Sequence, residues 1–323
     1  MYKALLFWAA CMFLASGYDP CSGQSTLPIK VNLTKSIFVE GEPVELSVTI
    51  SNPGPKNAQI YMNYPTFRAF DSGGITFKTV TAPSEVKVTP LDDSEHRVPI
   101  IEIAAEQEWT TRIYLQRFLS NLTPGRYRIS YKLELRHDSK MPSPNSGTSP
   151  SEGEFSFTIV AANEQQLKES LNQYSGKLES QNFWERRAAV EALSLVEDPV
   201  VVPHLGMMVR LGLADYGMRS LARFPKNEEA QSIVLNSLTS KQASAIVQAL
   251  TVLAGWRYKV NTNDLQILLK RDNIQVKIAA LRYVKSIGDR GYVEVIKPYL
   301  NDPDPNVSKE AQEAQDILHK PGN

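Results

Sequence analysis

At 323 residues the chain is long enough for two separate cores, and with 42% hydrophobic and 22% charged residues its composition is that of an ordinary globular protein. Its 35 basic residues balance 35 acidic ones. From Glu164 to Lys320 there are 20 Lys and Arg against 19 Asp and Glu, which leaves 15 against 16 elsewhere. Neither half has the basic excess of a nucleic-acid or acidic-membrane binder, so no nucleic-acid partner is expected.

Lys3 precedes an unbroken apolar run, Ala4–Ala15, and Ala15-Ser16-Gly17 places small residues after it. This pattern predicts a secretory signal peptide over residues 1–17, cleaved after Gly17, with a leader over 18–26. The run is too short to span a bilayer comfortably, so the mature chain is expected to carry no transmembrane span. A lipid-anchored form is disfavoured: the apolar stretch before Cys11 is very short, and Tyr18-Asp19-Pro20 before Cys21 is no lipobox. Cleavage leaves Cys21 alone, so an internal disulfide is excluded. The expected location is secreted or periplasmic, in a protein held together by its cores, which is commoner in bacteria. Sequons stand at Asn32, Asn121 and Asn306.

Between residues 27 and 160 the hydrophobic period is two. Val44, Leu46, Val48 and Ile50 alternate with Glu45, Ser47, Thr49 and Ser51, and Tyr127, Ile129, Tyr131, Leu133 and Leu135 alternate with polar residues. Phe155, Phe157 and Ile159 continue the pattern. Such alternation implies sheets with one buried and one wet face, which are antiparallel. Turn signals punctuate it at Gly41, Pro53-Gly54, Asp71–Gly74 and Pro124-Gly125. A β-sandwich of short strands is expected. Met141–Gly153, rich in Pro, Ser and Gly, reads as a long hairpin loop.

From 161 to 319 the period becomes helical, and a block of about thirty residues recurs. Arg186–Asp198, Lys277–Asp289 and Asn306–Leu318 align so that Ala189, Ala280 and Ala311 share one column, and Val196, Ile287 and Leu318 another. A repeat of this length marks stacked helix pairs whose faces cannot be buried singly. Asn163, Asp198 and Asp304 are placed to cap helices, and Gly288 to end one.

Two resemblances follow from these segments. Ile37–Gly54 and Asn121–Leu135 resemble the opening strands and the Leu-x-Pro-Gly-x-Tyr element of macroglobulin-type bacterial immunoglobulin-like domains, which implies a tyrosine-corner role for Tyr127. Tyr299–Gln312 and Val276–Leu300 look like short bacterial HEAT repeats, with their leucine-ended helix and Asp-Pro-Asp turn. The expected fold class is therefore multidomain: an N-terminal all-β Ig-like sandwich and a C-terminal all-α HEAT-like solenoid.

Chemistry-bearing patterns are not found. His96, His137, His204 and His319 form no HExxH-type arrangement, and no nucleophile elbow, phosphate loop or dinucleotide fingerprint occurs. The chain is read as no enzyme, with no cofactor and no metal. The leading expectation is an exported protein-binding or scaffolding protein with a protein partner. The resemblance to HEAT repeats implies that the second helix of each pair lines a concave face, which nominates His204, Met208, Lys270, Glu294, Lys297 and Tyr299. One alternative is carbohydrate or cell-envelope recognition through the aromatic stretch Tyr61–Phe70. Another is a protease inhibitor or protease-associated module using the Met141–Gly153 loop.

Overall fold

The computed structural model describes residues 27–61, 74–88, 100–137 and 147–320. The signal segment and leader with both cysteines, the Asp71–Gly73 turn residues, His96, and nearly all of the aromatic stretch lie outside the described residues.

The strands are β1 (Ile29–Leu33), β2 (Ile37–Val39), β3 (Glu45–Asn52), β4 (Ala58–Tyr61), β5 (Gly74–Thr81), β6 (Lys87–Val88), β7 (Ile100–Ile103), β8 (Gln107–Tyr114), β9 (Leu119–Ser120), β10 (Gly125–His137) and β11 (Gly147–Val160). One antiparallel sheet has the order β1-β3-β8. A larger one runs β2-β11-β10, and β10 also pairs with β5 and β4, which in turn pairs with β7. Their facing sides share one apolar core containing Phe38, Leu46, Val48, Ile50, Ile129 and Phe157. In β3 every second side chain from Leu46 to Asn52 is buried, as period-two alternation requires.

The sequence expectation of an Ig-like sandwich is corrected by three observations. Sheets and helices pack together, with no separate Ig-like sandwich. Tyr114, at the end of β8, is fully buried in the helical core rather than in the core of the sheets. The strand content is also mixed: β2 joins β11 in parallel, with Phe38 opposite Ile159. The Tyr127 hydroxyl does donate to the Thr123 carbonyl at 2.7 Å, but that clasp is local to one turn. The expected Met141–Gly153 loop is shorter than read, because β11 already pairs with β10 from Gly147 onward; residues 138–146 lie outside the described residues.

After Val160 the chain enters helices: α1 (Glu164–Ser175), α2 (Phe183–Leu195), α3 (Val202–Arg210), α4 (Ala214–Leu221), α5 (Glu228–Ser237), α6 (Ala243–Gly255), α7 (Thr262–Leu269), α8 (Ile274–Ile287), α9 (Val293–Ile296) and α10 (Pro305–His319). Asparagine and aspartate side chains accept from the free N–H groups at most of their starts. Asn163 forms a capping box with Gln166, and Asn182, Asn227, Asn261, Asn273 and Asp304 cap α2, α5, α7, α8 and α10. Gly288 ends α8 at φ 71°, a conformation that costs glycine little.

The helices form two layers. From α4 to α10 the even-numbered members pack closely on one another, whereas α2 meets α4 no more closely than α3 meets α5, and α7 meets α9 only loosely. Small residues permit the close approach: Ala189, Ala249, Ala280, Ala311 and Ala314 are all essentially inaccessible. Where α7 follows α6, the chain makes a tight excursion with Arg257 at positive φ. Two buried tyrosines satisfy it. Tyr283 accepts from the Val260 N–H and donates to the Tyr258 carbonyl, and Tyr292 donates to the Val260 carbonyl. Burial raises the pKa of both hydroxyls, and Tyr292 rises further through its contact with Tyr283.

Sheets and helices meet along a seam centred on Glu42, whose side chain is wholly buried. It accepts from the Val39 N–H, pairs with Lys35 at 2.6 Å, and accepts from Gln173 of α1 at 3.3 Å. Gln116 donates to the Glu42 carbonyl and accepts from the Val44 N–H, so the same turn is held from the other side. Gly41, at φ 83°, lies against Leu167 of α1, and a β-carbon there would sit 3.0 Å from the leucine methyl. Edge-to-face pairs Tyr114–Tyr174 and Trp109–Trp184 complete the seam. Each adds about 0.5–1.5 kcal/mol beyond area burial.

Two glycines test the packing of the even layer. A β-carbon on Gly217 in α4 would stand 2.8 Å from Val209 Cγ2 and 2.9 Å from the Leu205 carbonyl oxygen, whereas one on Gly255 would meet nothing within 4 Å. Gly217→Ala is expected to lower stability by about 1–3 kcal/mol through overpacking. Gly255→Ala, in the last turn of α6, is expected to be neutral or to raise stability by up to about 1 kcal/mol. Urea unfolding midpoints of the two variants give the comparison.

Candidate functional site: an arginine-lined groove on the even layer

The sequence-nominated residues all fall on the odd layer or its flanks. Met208 is fully buried and His204 is 8% exposed, both in α3, so neither presents a surface. Lys270 is an exposed residue at the end of α7, and its N–H caps that helix. Glu294 and Lys297 form an exposed i,i+3 pair at 3.7 Å, and Lys277 lies over the half-buried Tyr299 ring. The structure brings Glu294 and Lys297 together and leaves the rest apart. The nomination rested on the order of helices within a repeat.

One concavity among the described residues lies against the even-numbered helices. Between α2 and α4 lies a groove of about 310 Å³. The wall formed by α2 carries Arg187, Val190, Glu191, Ser194 and Leu195, spaced at helical intervals so that they share one face. The α4 wall carries Tyr216, Arg219, Ser220 and, one residue beyond its C-cap, Arg223. The third contributor, Arg117, comes from the 3₁₀ turn (Leu115–Arg117) that follows β8. The seam therefore fixes a residue of the sheet half beside the helices.

Four guanidinium groups thus face one carboxylate, a local excess of three positive charges if all are ionised. Glu191 is 8% exposed and stands 3.7 Å from Arg117 Nε. Among the described residues Arg117 Nε and Ser194 Oγ are buried and make no hydrogen bond. Arg223 donates to the carbonyls of Ser220 and Val196 and lies against the Phe224 ring. Burial lowers its pKa, with Glu197 acting in the opposite sense, yet a guanidinium stays charged across the physiological range. Tyr216 remains 49% exposed and offers an aromatic face at the rim.

Three cations of α8, further along the same layer, are paired with carboxylates within the chain. Arg282 and Lys285 of α8 bind Glu310 at 2.8 and 2.6 Å, and Lys285 also binds Glu313 of α10 at 2.6 Å. Lys277 binds Asp302 at 3.0 Å. No group of three or more His, Cys, Asp or Glu side chains that could hold a metal occurs among the described residues. No helix there is long and apolar enough to cross a membrane.

The chain matches no protein-family model and no curated protein. Solved structures similar to it include the complex of CpcE and CpcF of phycocyanin lyase from Nostoc, at 19% identity over 46% of this chain and 65% of that one, TM-score 0.36. Computationally designed armadillo repeat proteins for modular peptide recognition match at 16% identity over 48% and 85%, TM-score 0.32. Human deoxyhypusine hydroxylase matches at 15% identity over 48% and 76%, TM-score 0.29. Each covers about half of this chain.

His204, displaced from a surface role, acts on stability. Burial, aided by Lys168, holds its imidazole below the ordinary value of 6.5. The unfolded chain therefore takes up this proton at a higher pH than the folded one. The stability contributed by His204 is complete above about pH 6.5 and is lost as pH falls toward the folded value. Asp289, held below the usual carboxylate range by Lys259 and the Gly291 N–H, acts only in a more acid window. Urea midpoints at about pH 7.5 and about pH 5.5 are expected to converge in His204→Leu relative to the parent chain. An unchanged gap would show that other groups carry the decline.

Proposed function

We propose that this chain is an exported, non-catalytic protein-binding or scaffolding protein whose helical half is built of HEAT-like repeats. The observation that supports this reading is the stacking of α4, α6, α8 and α10 on one another, with Arg219, Thr251 and Arg282 exposed on the first three. Layered helix pairs present extended surfaces of this kind, suited to a peptide or a folded partner rather than to a small substrate. Export rests on the N-terminal sequence pattern alone. The carbohydrate reading draws no support from the described residues, since only Tyr61 of its aromatic stretch is among them, and the protease-inhibitor reading draws none because residues 147–153 of its segment belong to β11.

Photo-crosslinking tests the reading. A benzoylphenylalanine at Thr251, exposed on α6 of the even layer, is compared with one at Lys270, exposed on the odd side. The probe-bearing full chain is produced in the extracytoplasmic compartment and illuminated there. Discrete protein adducts at Thr251 and none at Lys270 are expected. Adducts at neither position would sink the reading, and adducts at Lys270 alone would return the binding face to the odd layer.

A further inference from the structure

We propose that Trp256 and Arg257, the two residues that follow the last turn of α6, form a strap joining α6 to both of its even-numbered neighbours, so that α4, α6 and α8 open as one unit. A strap of this kind governs how the helical layer moves, whatever docks on it.

Backbone conformation is the first observation. Arg257, at φ 55°, is one of three non-glycine residues at positive φ among the described residues. The left-handed region crowds a β-carbon against the backbone, and helix ends ordinarily pass through it on glycine. This chain follows that rule elsewhere: Gly212 stands just beyond the C-cap of α3 at φ 82°, and Gly288 caps α8 at φ 71°. At the end of α6 an arginine takes the place suited to glycine. A residue held in such a conformation persists only where its surroundings over-determine it.

The side chains are the second. Arg257 Nη1 donates to the Ser286 carbonyl at 2.8 Å, in the last turn of α8. Trp256 Nε1 donates to the Ala222 carbonyl at 2.8 Å, at the C-cap of α4. Carbonyls at a helix end have no partner within their own helix, and these two are satisfied from a neighbouring one. Consecutive residues thus reach opposite neighbours in the stack. Arg223 and Arg290 each make one link of this kind, to the Val196 carbonyl at the end of α2 and the Lys320 carbonyl at the end of α10. The third observation is what fastens the strained turn. Tyr283 of α8 and the nearby Tyr292 hold the backbone at Tyr258 and Val260, directly after Arg257. Departure of α8 therefore breaks the Ser286 bond and the Tyr283 bonds together, and removes what keeps Arg257 left-handed. Because α6 packs closely on both α4 and α8, the strap reinforces contacts that the helices already share.

The test is amide hydrogen exchange on the full chain in low urea, read helix by helix by mass spectrometry and corrected for intrinsic rates. In the parent chain the protected amides of α4, α6 and α8 are expected to exchange at matching rates and to accelerate together as urea rises. Arg257→Gly keeps the left-handed turn and removes only the side chain. It is expected to speed exchange in α8 relative to α6 by about fivefold, the worth of one hydrogen bond, while α4 still follows α6. Trp256→Phe keeps an aromatic ring and removes the donor, and is expected to part α4 from α6 to a similar extent. A circular-dichroism melt establishes that each variant is folded; Arg257→Gly decides the question by itself if Trp256→Phe does not fold.

A plain helix end predicts the opposite result for Arg257→Gly, since glycine relieves a left-handed position. Slower exchange throughout the helices, or an unchanged ratio of α8 to α6, therefore overturns the proposal. So does equal acceleration of every helix, which would make Arg257 an ordinary contributor to global stability. A parent chain in which α4 and α8 already differ by more than about fivefold overturns it as well, because no shared opening would then exist.

Discussion

A single buried carboxylate frames this molecule. Glu42 follows the exposed Glu40 and Gly41, yet its own side chain is fully buried, and a carboxyl group there needs polar partners in place of water. Lys35 supplies the charge, Val39 a backbone donor and Gln173 a donor from the first helix. Gln116 fixes the backbone of the same turn and leads directly into Arg117. The position of the arginine groove relative to the helices thus depends on a carboxylate that never touches it. Breaking such a site by removing one partner is far costlier than the pair's net worth, because the remaining charge is stranded.

Much of the helical half was legible because its signals are local. Asparagine and aspartate caps, Gly288 and the alanine column at Ala189, Ala280 and Ala311 each report on a few neighbouring residues, and each stands where its own chemistry requires. The alternation in β3 was equally readable. The seam was not. Tyr114 and Glu42 sit in segments whose pattern only says which side of a strand they occupy, and nothing local says that a helix covers that side. The parallel pairing of β2 with β11 joins three-residue and fourteen-residue strands over 120 positions apart, with no periodicity to announce it.

Of the residues nominated for a binding face, the fold buries His204 and Met208. Repeat periodicity identifies which residues are buried, but not which of two layers is more closely spaced. That follows from the size of the residues at helix–helix contacts, and alanines and Gly217 concentrate on the even helices. The groove was harder still to see. Arg117 lies 70 positions before Arg187 in sequence, so no spacing rule connects them, and only the docking of sheet on helix places them together. A charge count by halves hides the groove, because local excess and local deficit cancel within each half.

The seam also gives the helical stack two unlike ends. At one end the aromatic pairs Tyr114–Tyr174 and Trp109–Trp184 clamp the first helices to the sheets. At the other, α10 packs on α8, α9 and the turn at Lys297–Tyr299. In an array whose units touch only their neighbours, fraying begins at the end with fewer bonds to break and moves inward unit by unit. Amide exchange would then rise from α2 toward α10, and the groove between α2 and α4 would keep its shape through openings that have already loosened the far end. Whatever lies beside the clamp is pre-organised by position.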